Sequence, residues 1–316
     1  MPNTSPFDSP ILITGGAGFI GSHLVDALIG YGYGVRVLDN LTTGKLCNLP
    51  LENPRLELIQ GDVADADLVR QAVSGCQAVV HLAAVASVQA SVDDPARTHQ
   101  SNFIGTMNVC EAMRQANIKR ILFASSAAVY GNNGEGTAIT EETPKLPLTP
   151  YAADKLASEH YLNFYRRLHG LSPVIYRFFN IYGPRQDPSS PYSGVISIFA
   201  EHAQKKLPIS VFGDGEQTRD FVFVSDLVKL LVQGLSLPNA LGSAVNVGLN
   251  QATSLNQILA ALSSALGDLP EVTYHPARAG DIRHSRADNQ VLLNLFKLPS
   301  PTPIKSGIKQ LLALKA

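Results

Sequence analysis

Tyr151 and Lys155 stand four residues apart in Pro150-Tyr151-Ala152-Ala153-Asp154-Lys155. On a helix that spacing puts both side chains on one face, and Pro150 suits a helix start, with Tyr151 in the first turn. A free phenol, with a pKa of about 10, is a poor base at neutral pH. A nearby Lys155 ammonium and an oxidised nicotinamide would both favour its phenolate. Upstream, Phe123-Ala124-Ser125-Ser126-Ala127-Ala128-Val129-Tyr130-Gly131 closes an apolar run on two serines. One hydroxyl there could bond a reacting oxygen and relay its proton to Tyr151. Standing alone, a Tyr-x-x-x-Lys pair is also an ordinary surface pair. A second feature at the start of the chain gives it meaning.

Ile11-Leu12-Ile13-Thr14 reads as a short buried strand, followed by Gly15, Gly18 and Gly21. Such a turn lets backbone approach a pyrophosphate closely, and a helix starting at Phe19 and Ile20 offers N–H groups and a positive dipole end. The next strand, Val35-Arg36-Val37-Leu38-Asp39, ends in an acid 18 residues after Gly21. Asp39 can accept from ribose hydroxyls and would repel a 2′-phosphate. Asn40, Leu41 and Thr42 follow with no arginine to attract one, so NAD is favoured over NADP. An aspartate at a strand end can also simply start a turn. Asp62, in Gly61-Asp62-Val63, could accept from an adenine amino group with Val63 flanking, could cap a helix over 65–74, or both. In His81-Leu82-Ala83-Ala84 the small residues Ala83 and Ala84, with Leu82, let backbone pass beside a cofactor. His81 itself reads as a packed core histidine.

These residues need a scaffold. Apolar strand candidates at 11–14, 35–38, 56–59, 78–82, 121–125 and 173–178 alternate with helical stretches near 19–31, 65–74, 97–117 and 151–169. The alternation predicts an α/β chain, a Rossmann-type doubly wound parallel sheet whose ligand crevice lies outside the strand carboxyl ends. Residues 1–180 form the expected NAD-binding domain, with a segment of about 220–250 returning to it. Residues 181–316 are expected to build mainly a smaller, discontinuous C-terminal substrate-binding lobe. This second half reads as helices near 194–206, 225–235, 254–266 and 306–314 and strands at 209–212 and 244–248, of which 225–235 and 244–248 fall in the returning segment.

The chain has 316 residues, is 45% hydrophobic and carries a net charge of −1. That describes a soluble globular protein with no basic footprint for nucleic acid. No apolar run approaches a membrane span, and the first ten residues lack a secretory signal, so cytoplasmic residence is expected. Cys47, Cys76 and Cys110 show no metal or disulfide spacing and read as small residues in or near the core. No metal site is expected.

Together these motifs resemble the extended short-chain dehydrogenase/reductases, and within them the NAD-dependent nucleotide-sugar 4-epimerases acting on UDP-glucose and UDP-N-acetylglucosamine, over roughly residues 10–290. The resemblance implies Ser126 and Tyr151 as catalytic, with Lys155 as support, and Asn102 beside the cofactor, where a helix N-cap is its plainer alternative. It implies sugar-nucleotide contacts from Asn180 in Arg177-Phe178-Phe179-Asn180-Ile181-Tyr182-Gly183-Pro184-Arg185, Phe212 before Gly213-Asp214-Gly215, Arg219 before Asp220-Phe221, Arg278 and Asp281 in Arg278-Ala279-Gly280-Asp281, and Val195. Arginines suit a diphosphate because the guanidinium is a planar bidentate donor. Ser285 matches a position that limits volume around the sugar C2 group, so a small residue there implies acceptance of N-acetylated hexoses. Related 4,6-dehydratases carry an acid just before Val-Tyr-Gly, where this chain has Ala127 and Ala128. The resemblance also implies a homodimer through helices 97–117 and 151–169, with Met107, Val109, Leu156 and Tyr161 on them. The same apolar residues could instead pack on the parent sheet. A 4,6-dehydratase or other UDP-sugar modifier, and a silent dinucleotide-binding protein, are the competing readings.

Overall fold

A computed structural model describes residues 9–133, 136–188, 194–238, 241–277 and 282–313. In chain order the elements begin β1 (Ile11–Thr14), α1 (Phe19–Gly30), β2 (Val35–Asp39), β3 (Leu56–Gln60), α2 (Ala66–Val73), β4 (Ala78–His81), α3 (Val88–Asp93), α4 (Pro95–His99), α5 (Gly105–Gln115) and β5 (Arg120–Ser126). They continue β6 (Ala138–Ile139), α6 (Pro150–His169), β7 (Ser172–Phe178), β8 (Asn180–Tyr182), α7 (Val195–Lys205), β9 (Ile209–Phe212), β10 (Thr218–Arg219), β11 (Phe221–Phe223) and α8 (Val224–Leu235). The chain ends with β12 (Val245–Val247), β13 (Thr253–Ser254), α9 (Leu255–Leu266), β14 (Val272–His275), β15 (Arg286–Ala287), α10 (Gln290–Leu295) and α11 (Ile304–Ala313).

Two compact units result. The first holds residues 1–129, 147–177 and 228–245, the second 130–146, 178–227 and 246–316. The return to the first unit is thus shorter than the 220–250 expected from sequence, and 130–146 belongs to the second unit. The reason for the latter is a buried knot. Asn246 accepts from the Tyr130 hydroxyl at 2.7 Å, donates to the Ile139 carbonyl at 2.8 Å, and gives its backbone N–H to Glu141 Oε1 at 2.8 Å. β6 then pairs in parallel with β15.

The seven-stranded sheet runs in the order β12-β7-β5-β4-β1-β2-β3, a Rossmann-like α/β arrangement. β1 pairs in parallel with both β2 and β4, Ile11 lying opposite Val35 on one side and Ala78 on the other. All four residues of β1 and all four of β4 are buried, the continuous apolar run of a sheet covered on both faces. The order reverses between β1 and β4, the point at which sheets of this kind leave a ligand crevice outside the strand carboxyl ends.

The helix expected over 97–117 runs without a gap from Pro95 to Gln115, with a π-helical turn inside it. Asp94 caps α4 by accepting from the Arg97 N–H at 3.0 Å, a π-helical turn follows over Gln100–Ile104, and α5 begins at Gly105. The Thr106 hydroxyl donates to the Asn102 carbonyl at 2.6 Å within that turn. Val109 points into the sheet-side core rather than outward, whereas Tyr161 on α6 is 39% exposed beside exposed Phe164. Cys76 and Cys110 are buried, but Cys47 is exposed in a short 3-10 turn over Leu46–Asn48, against the core placement expected.

The second unit packs α7, α9 and α11 around β9 and β11, with Phe199, Val211, Phe223, Ile258, Leu262, Ile308 and Leu311 in its core. Its remaining strands are short pairs: β10 with β13, β11 with β8, and β14 with β9. Among the described residues no helix is long and apolar enough to cross a membrane.

Candidate active site

The glycine turn fills the β1 side of the crevice. Gly15 adopts φ +73°, and a Cβ there would stand 2.8 Å from the Ala83 backbone nitrogen. A Cβ on Gly21 would lie 2.2 Å from the Gly15 carbonyl oxygen, so α1 can seat this close only through glycine. No side chain caps α1 at Gly18 and no acid occupies its first turn, so the N–H groups around Phe19 and Ile20 face outward as anion donors. Asp39 is nearly buried. Its Oδ2 accepts from the Ala17 N–H at 2.9 Å and Oδ1 from the Leu41 N–H at 2.8 Å. Two such bonds leave about two of a carboxylate's four acceptor positions for ribose hydroxyls. The cradle, the uncapped helix and this acid fit a dinucleotide.

Around them sit the other cofactor candidates. Asp62 does not cap α2; Asp65 does, accepting from the N–H groups of Asp67 and Leu68. Asp62 instead accepts from the Ala64 N–H at 2.9 Å and from the exposed Asn40 amide at 2.8 Å. Val63 is buried, and Asn108 holds its carbonyl at 3.0 Å. Asn102 is not an N-cap either. It lies buried inside the π turn and clamps the loop after β4, accepting from the Val85 N–H at 2.8 Å and donating to the Val85 carbonyl at 3.1 Å. Leu82, Ala83 and Ala84 are thereby held along the crevice, half-buried. Thr14, which the sequence did not single out, accepts from the Ala83 N–H at 3.2 Å and pairs with His81 Nδ1 at 2.7 Å. His81 Nε2 meets Thr106 at 3.0 Å, so this histidine is a satisfied core residue held neutral: burial pulls it down to about 3. A polar residue inside an apolar strand was the available signal for Thr14.

At the end of β5 the two serines separate. Ser125 donates to Glu159 Oε1 at 2.5 Å. Ser126 accepts from the Ala128 N–H at 3.1 Å, and its hydroxyl neighbours the Tyr151 phenol and acts to pull that group's pKa down. Thr149 caps α6 by accepting from the Ala152 N–H at 3.3 Å and Pro150 fills its first position, which sets Tyr151 one step inside the helix. Lys155, 3% exposed, places Nζ 4.9 Å from the Phe123 ring centre and 5.8 Å from that of Tyr151. Burial raises the Tyr151 phenol above its ordinary value, and neighbouring Ser126 offsets this only in part. Lys155 is itself pulled down to about 8 by burial, against the opposing pull of Asp154 and Glu159. The protein alone therefore keeps Tyr151 protonated. This agrees with the expectation that Lys155 and a second cationic group, an oxidised nicotinamide, act together to favour the phenolate.

In the second unit, three candidates converge on Thr218–Asp220. The Asn180 N–H donates to the Asp220 carbonyl at 3.0 Å. Arg219 donates from Nη1 to the Thr218 carbonyl at 2.9 Å, and the Ser285 N–H donates to the same carbonyl at 3.2 Å. Phe212 is tied in by Gln217, whose amide donates to its carbonyl at 2.5 Å. Buried Asp220, missed by the sequence reading as more than part of a motif, organises the cluster. It accepts from the N–H groups of Leu249, Asn250 and Ala287 at 2.8, 2.9 and 3.1 Å. Val195, half-buried at the start of α7, packs against the unit's apolar core. Arg278 and Asp281 lie outside the described residues.

Residues 11–248 match the family described as NAD dependent epimerase/dehydratase family, and the chain belongs to it; NAD is its cofactor. It is 40% identical over 302 residues to a putative UDP-glucose 4-epimerase of Methanocaldococcus jannaschii, covering 95% of this chain and 96% of that one. Among solved structures it resembles a UDP-N-acetylglucosamine 4-epimerase from Methanobrevibacter ruminantium in complex with UDP-N-acetylmuramic acid, with a TM-score of 0.92, 36% identity and 97% of each chain covered. It also resembles a Thermus thermophilus UDP-glucose 4-epimerase in complex with NAD, with a TM-score of 0.87, 37% identity, and 96% and 98% of the two chains covered. A dTDP-glucose 4,6-dehydratase of Streptomyces niveus is a more distant relative at 35% over 286 residues, covering 87% of this chain and 83% of that one.

Proposed function

We propose that this protein is a UDP-hexose 4-epimerase that interconverts UDP-N-acetylglucosamine and UDP-N-acetylgalactosamine in preference to the plain hexoses. The observation that carries the reading is the meeting of buried Tyr151 and Lys155, with Nζ 5.8 Å from the phenol ring centre, beside Ser126 at a strand end whose next two residues are alanines. Bound NAD supplies an oxidised nicotinamide able to take up and return a hydride at sugar C4. Tyr151 removes the O4 proton, directly or through Ser126, and gives it back after the 4-keto sugar has turned over. Asn180, Arg219, Arg278 and Asp281, with Phe212 and Val195, grip the UDP portion, while the small Ser285 leaves room at C2. NAD contacts come from the glycine turn with Phe19 and Ile20, from Asp39, Asn40, Asp62 and Val63, from Leu82–Ala84, and from Asn102, Tyr151 and Lys155.

A homodimer formed through α5 and α6 is part of the same reading, supported by exposed Tyr161, Phe164 and Leu168 on α6. The dehydratase alternative is favoured by the Streptomyces relative and opposed by Ala127 and Ala128, which cannot supply a carboxyl group for elimination. The test is an NMR assay of purified protein with UDP-N-acetylglucosamine and, in parallel, UDP-glucose. Faster formation of the galacto epimer from the N-acetylated sugar supports the whole reading. Faster conversion of UDP-glucose removes the Ser285 argument, and no epimer in either tube, with NAD added, removes the epimerase assignment.

A further inference from the structure

We propose that Glu159 is a positioning residue for this reaction: through Ser125 it holds the strand end that carries Ser126 against the helix that carries Tyr151 and Lys155. The proposal rests on the roles given above to those three residues. Glu159 lies four residues after Lys155, one turn further along the same face of α6. It is 4% exposed and Arg177, on β7, is 6% exposed. Its Oε1 accepts from Ser125 Oγ at 2.5 Å and from Arg177 Nε at 3.0 Å, and its Oε2 accepts from Arg177 Nη2 at 2.6 Å. One carboxylate thus ties α6, β5 and β7 together directly behind the reacting groups.

Stability is a weak reason for such an arrangement. Two charges taken out of water lose hydration that their attraction only roughly repays, and apolar replacements are often as stable. What the carboxylate does supply is register. It specifies how far the β5 end lies from α6, and that distance sets the separation of Ser126 from Tyr151. A misplacement of about 1 Å among reacting groups costs on the order of 100-fold in rate. Its charge acts as well. With Asp154, which His99 Nδ1 meets at 2.8 Å, Glu159 supports the Lys155 ammonium against burial.

The test compares Ser125→Ala, Ser125→Thr, Glu159→Gln and the pair Glu159→Gln with Arg177→Gln, since Glu159→Gln alone takes the neutralising carboxylate away from a buried guanidinium. Turnover is measured on the faster UDP-sugar and divided by bound NAD, which counts folded sites. Ser125→Ala, which leaves the ion pair intact, should lose about 10-fold in kcat, with KM within about twofold, and Ser125→Thr should recover most of it. The Glu159 variants should lose about 100-fold, and the alkaline limb of their kcat profile should move to lower pH, because Lys155 gives up its proton sooner. Unchanged kcat per site in Ser125→Ala, with an unmoved pH profile in the double variant, overturns the proposal. Should the double variant not fold, Ser125→Ala and its threonine rescue decide alone. Tyr151→Phe is run alongside: an active Tyr151→Phe sinks the parent reading, whereas an inactive one beside normal Ser125 and Glu159 variants sinks only this inference.

Discussion

Gly15 and Gly32 offer a controlled comparison, because both sit at positive φ and only one is crowded. Gly32 has φ +88° with nothing within 4 Å of a Cβ position, while Gly15 has φ +73° and would place a Cβ 2.8 Å from the Ala83 nitrogen and 3.0 Å from its Cα. Alanine at Gly32 therefore incurs only the backbone cost of a left-handed L-residue, about 1 kcal/mol. Alanine at Gly15 incurs that cost and an overlap with main chain. Ordinary van der Waals contact begins near 3.4 Å, so the β4 loop must retreat by roughly half an ångström, at about 1–3 kcal/mol. It cannot retreat freely, because the Leu82 and Ala83 N–H groups are bonded to Thr14 at 3.1 and 3.2 Å. The expected losses in urea unfolding are about 1 kcal/mol for Gly32→Ala and about 3 kcal/mol for Gly15→Ala. Since about 1.4 kcal/mol is tenfold in affinity, only Gly15→Ala should lose bound NAD during purification. Equal stability losses in the two variants, with NAD retained in both, would refute the claim that the crevice needs glycine at Gly15.

His81 gives a pH signature. Its folded value is about 3 against an ordinary 6.5. Stability from its neutral form is therefore fully present above pH 6.5 and drains as pH falls toward 3, because the unfolded chain takes up a proton that the folded one refuses. The slope from this group reaches about 1.4 kcal/mol per pH unit, and urea midpoints of His81→Gln should show a shallower acid dependence than the parent. Asp220→Asn keeps one acceptor oxygen for three backbone donors, so at least one N–H loses its partner. About 2 kcal/mol of unfolding free energy should be lost, with KM for the UDP-sugar rising more than kcat falls. Ser285→Tyr should lower kcat/KM for UDP-N-acetylglucosamine at least about tenfold relative to UDP-glucose, read by NMR of the two epimers.

Strong periodicity and punctuation made much of the first unit legible. β1, β2, β3, β5, β7 and α6 fall within two residues of their expected bounds because buried parallel strands are continuous apolar runs, and Thr149, Pro150 and Gly170 mark the ends of α6. The π turn was not legible. It depends on Asn102, Thr106 and Val85, whose partners are distant or local in ways no periodicity reports. Nor were β8, β10, β13 and β15, which are two or three residues long and form only because a neighbouring segment supplies the other half of each ladder. In the site, residue types with intrinsic chemistry stood out: Tyr151, Lys155, Asp39 and the glycines. The residues that hold them in place did not. Glu159, Asp220 and Asn246 look like ordinary polar residues until folding removes them from water and their hydrogen-bond partners become obligatory.

The central claim is a transient oxidation at C4 that is undone within the same site. It is tested by incubating the purified protein with UDP-N-acetylglucosamine in deuterium oxide, without added NAD, and following both epimers by NMR. The account predicts the galacto epimer with hydrogen retained at C4 and C6 unchanged, since the hydrogen that leaves C4 as hydride is the one that returns. Deuterium at C4 would contradict it by showing proton exchange in place of hydride return. Loss of the C6 oxygen, with the C4 hydrogen arriving at C6 and solvent deuterium at C5, would contradict it in favour of dehydration.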